Sequence, residues 1–117
     1  MTGILTMLAA VAVLALAGLQ TPADAGDCTG LVVGVQPPTQ DNRGLGNGFL
    51  AVRSGPGSKF GQIGERYAGD EVALWERRGS WYQVACMSGP CTDPLWGAPH
   101  PRGWVSARHI DAGGVCP

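Results

Sequence analysis

Residues 50–57 have the sequence LAVRSGPG, and this stretch carries the local features that decide the fold. Its first half is short, apolar and partly β-branched, which is typical of a strand. Gly55-Pro56-Gly57 then favours a tight turn, because proline and glycine supply the backbone angles that turns need. A strand this short gains stability only as part of a sheet with several others. The flanking sequence should therefore contain more strands of the same kind.

Short apolar runs between turn residues recur on both sides of this stretch. They predict strands at residues 31–35, 49–52, 62–67, 71–76, 81–86 and 103–106. Residues 37–48 and 91–102 have the composition of loops, and no segment after residue 25 shows a helical period over two turns. Short strands separated by glycine and proline are typical of an all-β barrel or sandwich.

Five motifs follow one another along this part of the chain. They are Leu50-Ala51-Val52-Arg53-Ser54-Gly55-Pro56-Gly57, Ile63-Gly64, Gly69-Asp70-Glu71-Val72, Trp81-Tyr82-Gln83-Val84 and Gly103-Trp104-Val105. Together they resemble the bacterial SH3-like domain family over residues 49–110. The resemblance implies a small, partly open SH3-like β-barrel of about five or six short strands, found in exported bacterial proteins. It also implies a non-catalytic domain that binds cell-wall peptide, protein partners or an unidentified ligand.

Two features depart from the family's pattern. Ala51 stands where the family usually carries asparagine, which removes a side chain that often supports the turn. The loop 91–102 (CTDPLWGAPHPR) is longer than the usual connection to the closing strand.

The N-terminal segment predicts export. Residues 4–19 (ILTMLAAVAVLALAGL) carry no charge, and Ala23-Asp24-Ala25 offers small residues at the positions that signal peptidase accepts. As a helix the apolar run would span about 24 Å, less than the ~30 Å hydrocarbon core, so a retained membrane anchor is the less favoured alternative. We predict a signal peptide at 1–25, cleaved after Ala25, and one periplasmic or secreted domain at 26–117.

The four cysteines predict two disulfides, as is typical of a small exported domain. Four cysteines allow three pairings. We favour Cys86 with Cys91, because a Gly-Pro turn lies between them, and this leaves Cys28 to pair with Cys116. Such bonds matter in a chain this short, because its core alone contributes little stability.

Charge and motif content exclude several functions. The chain has 8 basic and 9 acidic residues, and cleavage of the predicted signal peptide, which contains Asp24, would leave 8 of each. Neither nucleic acid nor an anionic membrane surface is therefore an expected partner. No Gly-x-Ser-x-Gly elbow occurs, and paired cysteines leave no thiol nucleophile. The cysteine spacings, even with His100 and His109, do not match zinc fingers, and His109 is expected on the surface. We expect no catalysis, no cofactor and no metal.

Aromatic side chains point to a ligand surface. Trp81 and Trp104 occupy motif positions that favour packing, whereas Trp75 should be partly exposed and Trp96 is either a lid or a contact residue. For the loop 37–48 we favour an ordinary flexible connection. The alternative, implied by the resemblance to SH3-like domains, is that this loop forms one wall of the binding groove. The predicted ligand-binding residues are Tyr67, Trp75, Trp96, Arg43 and Asn47.

The predicted ligand is a peptide, either peptidoglycan stem peptide or a segment of an envelope protein. We expect a monomer unless the chain is part of an assembly. The alternative function is that of a structural small subunit or stabilising element in a larger envelope assembly.

Overall fold

The computed structural model of the protein describes residues 28–99 and 102–117, and the predicted signal peptide lies outside them. These residues form an open seven-stranded antiparallel sheet in the order β3-β2-β6-β5-β4-β1-β7. The strands are β1 (Cys28–Val32), β2 (Leu50–Arg53), β3 (Gln62–Arg66), β4 (Glu71–Arg78), β5 (Trp81–Ser88), β6 (Gly103–Ser106) and β7 (Ile110–Gly114). The prediction of an all-β domain is confirmed.

The sheet bends around one small core to which five of its strands contribute fully buried side chains. Alternation along each strand sends these residues to the same face, because successive side chains of a strand point to opposite faces. Val72 and Leu74 of β4 lie on this inner face. The other buried members of the core are Cys28, Val32, Leu50, Val52, Tyr82, Val84 and Val105.

A seventh strand is the main addition to the predicted architecture. β7 pairs along its whole length with β1, from Cys28 opposite Gly114 to Val32 opposite Ile110. Its sequence IDAGG lacks the β-branched pattern of a strand, so local propensity gave no signal for it. β1 itself lies three residues earlier than predicted, and ends before Gly34, whose φ of +71° is incompatible with a continuing strand.

The predicted loop 37–48 contains one turn of helix, α1 (Gln40–Gly44). The Thr39 hydroxyl caps it by accepting a hydrogen bond from the Asn42 N–H at 3.1 Å. A single turn has no amphipathic period, which is why the sequence pattern does not reveal it. No helix within residues 28–99 and 102–117 is long and apolar enough to cross a bilayer.

Two disulfides join Cys28 to Cys116 and Cys86 to Cys91, the pairing favoured from the sequence. The first links the start of β1 to the chain end beyond β7, and closes a separation of 88 residues. The second links β5 to the 3₁₀ turn Pro90–Thr92, and closes a separation of 5 residues.

The two disulfides should differ in their contribution to stability. Replacing Cys28 and Cys116 by alanine should lower the free energy of unfolding by about 4–5 kcal/mol, and replacing Cys86 and Cys91 by about 2 kcal/mol, because the longer loop restricts the unfolded chain more. Urea unfolding of the two double variants measures both values. A larger loss from the Cys86/Cys91 variant would contradict this account.

Candidate functional site

The five predicted ligand-binding residues have different surroundings in the structure. Tyr67 lies in the interior, with only 1% of its surface exposed, so it presents no ring to a ligand and the prediction is corrected. Arg43 is engaged in an ion pair with Glu65. Trp75 and Trp96 lie on β4 and on the loop after Pro90–Thr92.

Glu65 is the centre of a buried hydrogen-bond network. Its carboxylate is 1% exposed and accepts the Arg43 Nε–H at 3.1 and 3.2 Å on its two oxygens. The Tyr67 hydroxyl donates to Glu65 Oε1 at 2.8 Å and accepts the Leu95 N–H at 2.7 Å. One carboxylate on the edge strand β3 therefore holds two loops. It holds the 37–48 loop through Arg43, and through Tyr67 it holds the loop that follows Pro90–Thr92 and carries Trp96, called the Trp96 loop below.

A second buried carboxylate, that of Asp70, holds the start of the Trp96 loop. It accepts the Tyr67 N–H at 2.6 Å and the Cys91 N–H at 2.8 Å. Burial raises the pKa of Asp70, while these two N–H groups and the nearby Arg66 act in the opposite direction. The hydrogen bond to Cys91 keeps the Cys86–Cys91 turn against the turn between β3 and β4.

Trp75 and Trp96 have different surroundings. Trp75 has no partner in the β4–β5 register, which shifts between Leu74 and Glu76, so it is the extra residue of a β-bulge. The Arg102 guanidinium covers the Trp75 ring, 4.1 Å from the ring centroid. Because the Trp75 side chain is also half-buried, little of its ring surface is left for a ligand. Trp96 is 43% exposed, as a lid or a contact residue would be.

A groove lies elsewhere, where the 3₁₀ turn Ala107–His109 meets β2 and the 37–48 loop. It consists of two adjoining hollows of about 420 and 270 Å³ that share Leu50, Arg108 and His109. The first is lined by Gly34, Val35, Gln36, Gly46, Asn47, Gly48, Phe49, Leu50, Arg108 and His109. The second is lined by Leu50, Ala51, Arg53, Ser58, Trp81, Ser106, Arg108 and His109. We call the two hollows together the Arg108 groove.

Hydrogen bonds fix two of the side chains that line the Arg108 groove. The Arg53 Nη1–H donates to the Phe60 carbonyl at 3.0 Å, across the turn that follows β2. His109 Nδ1 lies 3.1 Å from the Val33 carbonyl. A carbonyl oxygen only accepts, so we assign the proton to Nδ1, and Nε2 is then the imidazole atom left for a ligand.

Of the predicted site residues, only Asn47 lines the Arg108 groove. Trp81, Arg108 and His109 also line it, although the sequence favoured packing for Trp81 and an ordinary surface position for His109. One signal pointed here: a groove wall was the alternative considered for the loop 37–48, and residues 46–48 of this loop line the first hollow. The described residues contain no group of three or more His, Cys, Asp or Glu arranged to hold a metal ion, and His100 lies outside them.

An open antiparallel sheet of seven short strands with almost no helix is the architecture of a small SH3-like all-β domain. The family model for the bacterial SH3 domain matches residues 48–111, and the chain belongs to this family. No curated protein and no solved structure matches the chain. Bacterial SH3 domains are generally binding modules, commonly related to the cell wall. Family and disulfides are consistent with an extracytoplasmic location.

The buried hydroxyl of Tyr67 should titrate far from neutrality. Burial and its hydrogen bond to Glu65 raise the pKa of Tyr67 to about 12. This pKa is above that of an unfolded tyrosine, near 10, so the protonated Tyr67 hydroxyl adds to the free energy of unfolding. Its contribution is complete below pH 10 and disappears as the pH rises through 12. In an alkaline titration followed at 295 nm, Tyr67→Phe should remove the component that titrates near pH 12. Loss of a component near pH 10 instead would contradict the buried position.

Proposed function

We propose that this protein is a non-catalytic binding module whose Arg108 groove holds an extended peptide of the bacterial envelope. The ligand is either peptidoglycan stem peptide or a segment of an envelope protein. The observation that carries the proposal is the pair of adjoining hollows beside Ala107–His109, whose lining includes Trp81, Arg108 and the loop residues 46–48.

The shape of the groove supports a peptide more than a compact ligand. Its two hollows are open and share three lining residues, so together they offer room for a chain of several residues. Trp81 and Leu50 supply apolar surface in the second hollow, while Asn47 and main-chain groups of the 37–48 loop supply polar contacts in the first. Flat aromatic contact combined with fixed polar groups is how proteins usually hold an extended peptide.

The loop that walls the first hollow is held in place from behind. Gly48 has a φ of +81°, and a Cβ atom there would lie 2.9 Å from the Pro37 carbonyl oxygen and 3.0 Å from Asn42 Cβ. Only glycine fits this close approach without strain. Together with the Arg43–Glu65 ion pair, it keeps the wall preformed, which lowers the entropic cost of binding.

A structural small subunit of an envelope assembly is the second candidate function. It is favoured by Leu95 and Trp96, which are 40% and 43% exposed on one loop and would suit permanent burial against another protein. Co-purification from native envelopes separates the two functions, because an obligate subunit would be recovered in stoichiometric amounts with its partner.

The site of action proposed here is the periplasm or the exterior of the cell. The support is the family, the two disulfides and the predicted signal peptide at 1–25, with residues 26–117 as the exported domain. Mass spectrometry of the protein recovered from the envelope or medium tests this, since cleavage after Ala25 fixes the mass. Recovery of the uncleaved chain from the cytoplasm would contradict it.

Binding of soluble muropeptides should depend on Trp81 and not on Trp96. Trp81→Ala should weaken the affinity at least about tenfold, because aromatic residues at the centre of a binding site carry much of its energy. Ser58→Trp should weaken it similarly by filling the second hollow from an exposed position, so the test does not rest on one half-buried residue. Isothermal titration with muropeptides, and with envelope protein extracts fractionated by affinity, measures both effects.

Trp96→Ala serves as the matched control and should leave the affinity unchanged. A loss with Trp96→Ala and none with Ser58→Trp would move the site to the surface predicted from the sequence. No binding of muropeptides or any envelope protein to the unchanged protein would refute the proposed function.

A further inference from the structure

The charges around the Arg108 groove are of one sign. Arg53 and Arg108 line it, and no aspartate or glutamate is among the residues that line either hollow. The chain as a whole is nearly neutral, so this segregation is local. A groove with cations and no acids has a positive potential, which attracts an anionic group of a ligand.

Arg108 differs from the other arginines of the domain in having no partner among the described residues. Elsewhere each guanidinium is engaged: Arg43 with Glu65, Arg53 with the Phe60 carbonyl, Arg66 with the Glu65 carbonyl, Arg77 with the Gly79 carbonyl, Arg78 with Glu76 and Arg102 with the Trp75 ring. No hydrogen bond or ion pair within residues 28–99 and 102–117 involves the Arg108 side chain. Its five N–H donors are therefore uncommitted within the described part of the fold.

The position of Arg108 in the groove indicates what these donors could bind. It lines both hollows, at their junction, and its neighbour His109 is held by the Val33 carbonyl with Nε2 as its remaining ring nitrogen. Arg53, fixed by the Phe60 carbonyl, lines the second hollow. A ligand anion in the groove would meet the uncommitted Arg108 guanidinium and the positioned Arg53 side chain.

We infer that the Arg108 groove recognises a carboxylate, which Arg108 binds through two parallel N–H···O bonds while the peptide chain lies along Trp81 and Leu50. The planar fork of a guanidinium matches the two oxygens of a carboxylate. Phosphate sites usually add several backbone N–H donors at a long helix or a nest, and Ala107–His109 is one short 3₁₀ turn. This inference rests on the proposed function, because it names the ligand group that the proposed peptide site selects.

A peptide can present this carboxylate either at its C-terminus or on an acidic side chain. N-acetylalanine carries the first, N-acetylglutamate α-amide carries the second, and N-acetylalaninamide carries neither. Each is titrated into the intact protein at constant ionic strength, maintained with sodium chloride, while the backbone amides of residues 46–50 and 107–110 and the Arg108 Nε–H are followed by NMR.

At least one carboxylate probe should produce saturable shifts with a dissociation constant on the order of 10 mM, as suits a fragment of this size. N-acetylalaninamide should produce none. Arg108→Gln should weaken the carboxylate probe about tenfold or more, because a charge-assisted pair is lost, and Arg108→Lys should give an intermediate affinity. Arg78→Gln removes an exposed arginine outside the groove, and should change nothing.

Equal shifts with the carboxylate and amide probes, no loss with Arg108→Gln, or tighter binding of inorganic phosphate than of either carboxylate would overturn the inference. Its failure is distinguishable from that of the proposed function. Muropeptides that bind unchanged to Arg108→Gln would refute the carboxylate site and keep the peptide groove. If the carboxylate probes bind at Arg108 but the protein binds no envelope peptide, the proposed function is refuted and the carboxylate site is kept.

Discussion

The buried carboxylate of Glu65 is the interaction on which the arrangement of the loops depends. A charge that is 1% exposed is tolerable only when its oxygens are well paired, and here they accept bonds from Arg43 and Tyr67. Because Tyr67 in turn accepts the Leu95 N–H, one group on an edge strand holds both long loops of a small domain. The hydrophobic core holds the strands together, and this polar network holds the two loops against the sheet.

The network links the fold to the groove by a short physical path. Arg43 belongs to α1, and the same loop continues to Gly46–Gly48, which walls the first hollow of the Arg108 groove. The opposite wall comes from Ala107–His109, tied to the sheet by the bonds of Val33 with His109. Both walls are thus held by hydrogen bonds behind the groove, and Arg108 keeps its donors for a ligand.

The sequence allowed the strands, the family and the disulfide pairing to be predicted, because alternation, turn residues and cysteine spacing are local signals. β7 was missed because Ile110–Gly114 becomes a strand only through pairing with β1. Tyr67 was misplaced because its burial follows from Glu65 and Leu95, the second of which is 28 residues away. Arg108 carries no local signal at all, since its importance lies in having no partner in the fold, which only the structure can show.

Hydrogen exchange of a Glu65→Gln variant, followed by mass spectrometry, tests most directly whether Glu65 holds the groove wall. The substitution keeps the side-chain shape and removes the charge that pairs with Arg43. The account predicts faster exchange in residues 37–48, where the Leu45 and Asn47 N–H groups are bonded within the loop, with unchanged protection of β4 and β5. Unchanged exchange in residues 37–48 would contradict it, because the loop would then be held without the carboxylate.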